Sequence, residues 1–148
     1  MSNLNTKYDS CLEKCLLLLS LRKHSITELE RKLNRTFDAQ TIRRVIKKLE
    51  KLGYLDDLSF AKRYVELSKN RKSRLYIINY LRIKGINKSL ITTAINDYHL
   101  EDEYLTAMNE VKRKTWGEDQ SIKRVKITTF LKGKGFSYEV IRKVIDNY

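Results

Sequence analysis

The residues able to do chemistry are few, and their spacing is poor for it. Cys11 and Cys15 lie four apart, on one helix face, without the His or Cys companions that a structural metal site needs. They read as buried small hydrophobes in a reducing compartment. His24 and His99 are the two histidines, and each stands alone, at a helix end or on the surface. The adjacent acids Asp56 and Asp57 are too few to hold a cation by themselves. Gly133-Lys-Gly135 lacks the glycine that a P-loop places five residues upstream, and neither His-Glu-x-x-His nor Gly-x-Ser-x-Gly occurs. The expectation is a non-enzymatic protein with no metal and no cofactor.

Charge supplies the functional signal instead. The 148 residues carry 31 Lys and Arg against 18 acids, a formal net charge of +13. Such an excess suits a polyanionic partner, nucleic acid first among them. Residues 1–52 hold net +6, residues 53–99 net +5 and residues 100–148 net +2, so the field is concentrated in the first two thirds. Arg43, Arg44, Lys47, Lys48 and Lys51 share the outer side of one helix, with Glu50 as the single acid among them. A second cluster, Lys69, Arg71, Lys72 and Arg74, continues through Arg82 and Lys84. Both suit phosphate-backbone contact, which carries affinity and little sequence information. No set of base-reading side chains of the homeodomain type accompanies them.

Those side chains must be positioned by helices. There is no proline and only five glycines, which permits long helices and suits an all-α protein. Three segments superimpose: FDAQTIRRVI (37–46), INKSLITTAI (86–95) and FSYEVIRKVI (136–145). Each opens on an apolar residue and a cap (Asp38, Asn87, Ser137), then places Ile42, Ile91 or Ile141 and Val45, Ala94 or Val144 on one stripe. A second helix precedes each, marked by Leu29/Leu33, Ile77/Leu81 and Ile127/Leu131. Ser25 and Glu28 form a capping box for the first of these. Gly85, and Gly133 or Gly135, suit the left-handed residue that ends the other two. Leading helices carry Tyr8, Cys11, Leu12, Cys15, Leu16 and Leu19, then Phe60, Ala61, Tyr64 and Val65, then Tyr104, Leu105, Met108 and Val111 running to Trp116.

The fold expected is therefore all-α, three tandem three-helix repeats (1–52, 53–99, 100–148) forming an elongated, curved array. CLLLLSL (15–21) is too short to cross a bilayer and is flanked by Lys14 and Arg22. A cytoplasmic, monomeric protein is expected. At the first repeat boundary, GYLDDLSFAKRYV (53–65) reads as architecture. Gly53 ends a helix, Tyr54 and Leu55 pack at the junction, one acid caps the next helix and the other meets its dipole, and Phe60 buries it.

That phrase resembles the signature of the RecX family of RecA regulators. LLSLRKHSITELERKL (18–33), LRIKGI (81–86) and KGFSYEVIRKVI (134–145) are similar to the family's first-module stretch, middle turn and C-terminal block. KSRLY (72–76) departs from it, lacking the Gly or Pro often found there. The resemblance implies tandem three-helix repeats that bind RecA filaments on single-stranded DNA and modulate, typically inhibit, the recombinase. The alternative is an independent DNA-binding protein of nucleoid or transcriptional type.

Overall fold

Local signals in the chain determine where each helix starts. The computed structural model describes residues 3–148, and among these every regular element is a helix. The first three are α1 (Asn3–Leu21), α2 (Ile26–Leu33) and α3 (Ala39–Lys51). Then come α4 (Asp57–Ser68), α5 (Arg74–Ile83) and α6 (Lys88–Ile95), followed by α7 (Leu100–Lys112), α8 (Gln120–Gly133) and α9 (Tyr138–Asn147). Asp38, Asn87 and Ser137 each accept an amide hydrogen bond at the start of α3, α6 and α9, satisfying a donor that the helix leaves orphaned. Ser25 and Glu28 form the full capping box. Gly85 and Gly135, at φ of 79° and 88°, close α5 and α8; Gly133 lies inside α8. After α2, which has no such glycine, Asn34 continues in a right-handed turn and Phe37 bonds back to Leu33.

Each leading helix packs on the third helix of its group: α1 on α3, α4 on α6, α7 on α9. The buried apolar side chains fall into three separate clusters. The first holds Cys11, Cys15, Leu29, Leu33, Ile42, Val45 and Leu49; the second Ala61, Val65, Ile77, Leu81, Ile91 and Ala94; the third Ala107, Val111, Ile127, Leu131, Ile141 and Val144. Four expectations are corrected. Leu16 and Leu105 point outward, because the helical stripe is narrower than their spacing allows. Tyr54 is 61% exposed, while Leu55 alone of that pair reaches the first core. Helix α7 stops at Lys112, and Trp116 instead turns back beyond it, its indole N–H donating to the Val111 carbonyl. His24 stands at a helix end, one of the two placements expected, and is buried there, its Nδ1 against the Arg22 carbonyl at 2.9 Å and its Nε2 facing Lys32 Nζ at 3.0 Å.

The total accessible surface is 9969 Å², where a compact monomer of 17.6 kDa would expose about 7,900 Å². The excess is that of an elongated array with small cores in a row.

The groups are joined by one arrangement used twice. Ser25, which caps α2, donates its hydroxyl to the Lys84 carbonyl at the end of α5 (2.7 Å); Ser73, which caps α5, donates to the Lys134 carbonyl at the end of α8 (2.8 Å). Asp57 on α4 accepts from the Ile26 amide (3.0 Å), and Glu103 on α7 accepts from the Arg74 amide (3.2 Å). These acids are equivalent in register: each stands one turn before the buried pair of its helix, Ala61/Val65 or Ala107/Val111. The closing glycines complete the joint. A Cβ on Gly85 would lie 2.3 Å from Thr27 Oγ1, and one on Gly135 would lie 2.9 Å from Ser73 Oγ. In the third group the position equivalent to Ser25 and Ser73 is Lys123, whose ammonium sits 4.4 Å over the Tyr148 ring, so the joint chemistry is not repeated there.

Candidate nucleic-acid and partner interface

The five cations of α3 alternate with its core residues, as expected. Thr41, Ile42, Val45, Ile46 and Leu49 are buried, while Arg43, Arg44, Lys47, Lys48 and Lys51 are exposed. They divide into two ridges by helical spacing. Arg43 and Lys47, joined by Arg44 from the neighbouring ridge, line a shallow concavity against α2 with Ile26, Glu30, Gln40, Ile46 and Glu50. Glu30, contributed by α2, therefore adds a second acid to a face that looks nearly all basic in the α3 sequence alone. Arg44, Lys48 and Lys51 follow the second ridge, and the Arg44 guanidinium lies 4.9 Å from the ring centroid of Tyr8 on α1.

The second cluster is built on the turn between α4 and α5. Two hydroxyls hold that turn: Thr106 donates to the Lys69 carbonyl (2.6 Å), and Tyr98 to the Lys72 carbonyl (2.7 Å). Burial pushes the Tyr98 phenol up to about 12, so it stays a donor throughout the working pH range. Above this frame Lys69 pairs with Glu66 (3.2 Å) and Arg71 donates to the Leu67 carbonyl (3.2 Å). Lys72 Nζ sits 4.6 Å over the Tyr76 ring, and the Arg74 side chain is exposed.

Arg82 is exposed, whereas Lys84 has a different setting. Its ammonium bonds Glu28 of α2 (3.1 Å) and lies 5.4 Å over the Tyr80 ring. Glu28 also receives Arg22 (2.7 Å) and the Ser25 amide (3.2 Å). Burial opposes the charge on Glu28, but hydrogen bonds from Arg22, the Ser25 amide and Lys84 outweigh it and hold the carboxyl at about 2. Lys84 thus neutralises a buried carboxylate between the first two groups. Sequence spacing placed it on a basic stripe and missed Glu28, its partner from another group.

The boundary residues resolve into distinct roles. Gly53 adopts φ 81° with open space around it. Asp56 caps α4, accepting the Ser59 amide (3.1 Å) and hydroxyl (2.9 Å), which hold its carboxyl below the usual range. Asp57 faces the other way, to α2; burial raises its carboxyl, partly offset by the Ile26 amide. Phe60 packs against the second core. Burial likewise raises the Cys15 thiol to about 12, consistent with a packed and unreactive side chain. Among the described residues no three His, Cys, Asp or Glu side chains converge as metal ligands, and no helix is long and apolar enough to cross a membrane.

The fold has counterparts in known proteins. The family model described as the first three-helix domain of RecX matches residues 11–49. A protein of Prosthecochloris aestuarii named regulatory protein RecX is 33% identical over 149 residues, covering 99% of this chain and 97% of that one. Its namesake in Chlorobaculum tepidum is also 33% identical, over 94% of this chain and 88% of its own. Among solved structures, RecX from Lactobacillus salivarius shares the fold with a TM-score of 0.89 at 24% identity over 97% of each chain. A second crystal structure of regulatory protein RecX gives 0.86 at 24% identity, over 95% of this chain and 73% of that one. A likeness that runs nearly end to end, through all three helical groups, means that this chain belongs to the RecX family of regulatory proteins.

Proposed function

We propose that this chain binds RecA filaments on single-stranded DNA and lowers RecA's ATPase and recombinase activity in repair and recombination. The observation that carries the reading is the near full-length likeness to proteins named regulatory protein RecX. The physical chemistry agrees with it. An elongated array suits lodging along a filament groove, and the exposed cations of α3 and of the α4–α5 turn suit a partner that displays phosphate. In this reading the protein acts as a cytoplasmic monomer divided at 1–52, 53–99 and 100–148, by binding alone and without catalysis or a cofactor.

The test is the rate of ATP hydrolysis by RecA on single-stranded DNA as this protein is titrated in. A fall in rate at stoichiometric amounts supports the proposal; an unchanged rate at a large excess sinks it.

A further inference from the structure

Lys72, Tyr76, Tyr80 and Lys84 follow one another at every fourth position and so form one ridge along α5 and its flanking turns. Each terminal ammonium lies over the ring next to it, and Tyr80 is stacked on Tyr64 with centroids 3.9 Å apart and planes 10° from parallel. The rings are not equivalent. Tyr64 and Tyr80 are half-buried against each other, and Lys84 is committed to Glu28. Tyr76 is 44% exposed, and among the described residues no carboxylate lies within ion-pair distance of Arg71, Lys72 or Arg74.

The backbone that carries the ring is also held in place. Ser73 accepts from the Tyr76 amide (3.1 Å) while donating to the Lys134 carbonyl. The Lys72 carbonyl receives the Tyr98 hydroxyl, and the Arg74 amide is tied to Glu103. An exposed ring among cations that have no carboxylate partner, on a backbone tied to Tyr98 and to the third helical group, needs little ordering on binding.

We infer that Tyr76 is a stacking platform for a base of single-stranded nucleic acid, with Arg71, Lys72 and Arg74 taking the flanking phosphates. Every base offers a π-face to a ring when it is unpaired, and cations beside the ring track the backbone. In a duplex those faces are covered by neighbouring pairs, so the ring has nothing to stack on and only the cations contribute. The inference rests on the reading that this surface meets the strand within the filament.

The experiment is fluorescence anisotropy with labelled oligothymidylate and with a labelled duplex of equal length, for wild type, Tyr76→Ala, Tyr76→Phe and Lys72→Ala. Tyr76→Ala should weaken strand binding about tenfold, the size of one lost stacked base, and leave duplex binding and the salt dependence unchanged. Tyr76→Phe should bind as wild type. Lys72→Ala should weaken both ligands and reduce the salt slope. Strand affinity untouched by Tyr76→Ala, a loss shared equally with duplex, or wild type that does not bind the strand would each overturn the platform. If Tyr76→Ala lowers only the melting temperature, the Lys72–Tyr76 contact is an internal clasp and the platform is likewise wrong. RecA ATPase inhibition by wild type, measured alongside, separates this failure from failure of the proposed function.

Discussion

Asp57 accepts the backbone N–H of Ile26 at 3.0 Å, across 31 residues of sequence. It thereby supplies to α2 the acceptor that a helix start normally finds within its own turn. Of two adjacent acids, one caps the helix it begins and its neighbour caps a helix of the preceding group. Glu103 repeats the act on Arg74. The array is held together at these points by polar bonds to backbone, with the apolar cores kept separate.

Removing these acceptors leaves half-hidden amides without partners. Asp57→Ala and Glu103→Ala should each lower unfolding free energy by about 1–3 kcal/mol. Urea titration followed by circular dichroism measures this. A change within error for both substitutions would show that the joints contribute nothing.

The glycines differ in a way that sidedness of packing explains. At Gly53 an added Cβ meets nothing, so Gly53→Ala costs only the left-handed backbone, about 1 kcal/mol. At Gly85 the same substitution adds overlap with Thr27, bringing a further ~1–3 kcal/mol. Thermal melts should rank Gly85→Ala well below Gly53→Ala; equal melting temperatures would contradict the close approach of α2 to this turn.

Glu28 makes stability depend on acid. Its folded-state carboxyl is depressed from 4.5 to about 2, so its contribution is fully present above about pH 4.5 and is lost as pH falls toward 2. The difference corresponds to ~3 kcal/mol. Glu28→Gln should flatten the stability profile between those limits. Asp57 and Glu103 have raised carboxyls and act with the opposite sign, losing stability as pH rises through the ordinary carboxylate range.

Cations of the surface and of the joints should separate by assay. Reversing Arg71, Lys72 and Arg74 to Glu should weaken filament binding and reduce its salt dependence without loss of helicity. Lys84→Ala should instead destabilise the fold, since it strands part of the charge on buried Glu28. Equal effects on folding and binding from both sets would mean that the surface patch is structural.

Caps and apolar stripes were legible in the sequence because both are local: Asp38, Asn87 and Ser137 act within one turn, and Leu29/Leu33 or Ile77/Leu81 share a face by spacing alone. The joints were not. The Ser25 hydroxyl, Asp57 and Glu103 bond to backbone atoms of distant segments, and a backbone partner leaves no side-chain signature. The same limit applies to the candidate interface. Exposure of the α3 cations and the setting of Tyr76 beside Lys72 follow from helical period, whereas the commitment of Lys84 to Glu28 and the bonds that tie the α4–α5 turn to the third group depend on how the groups are stacked.

The most direct test of the central claim is competition. Labelled protein is offered RecA-coated single-stranded DNA and bare duplex of the same length at physiological salt. The account predicts that coated strand retains the protein against a large excess of duplex. Preference for bare duplex would contradict it and assign the basic surface to an independent DNA-binding protein.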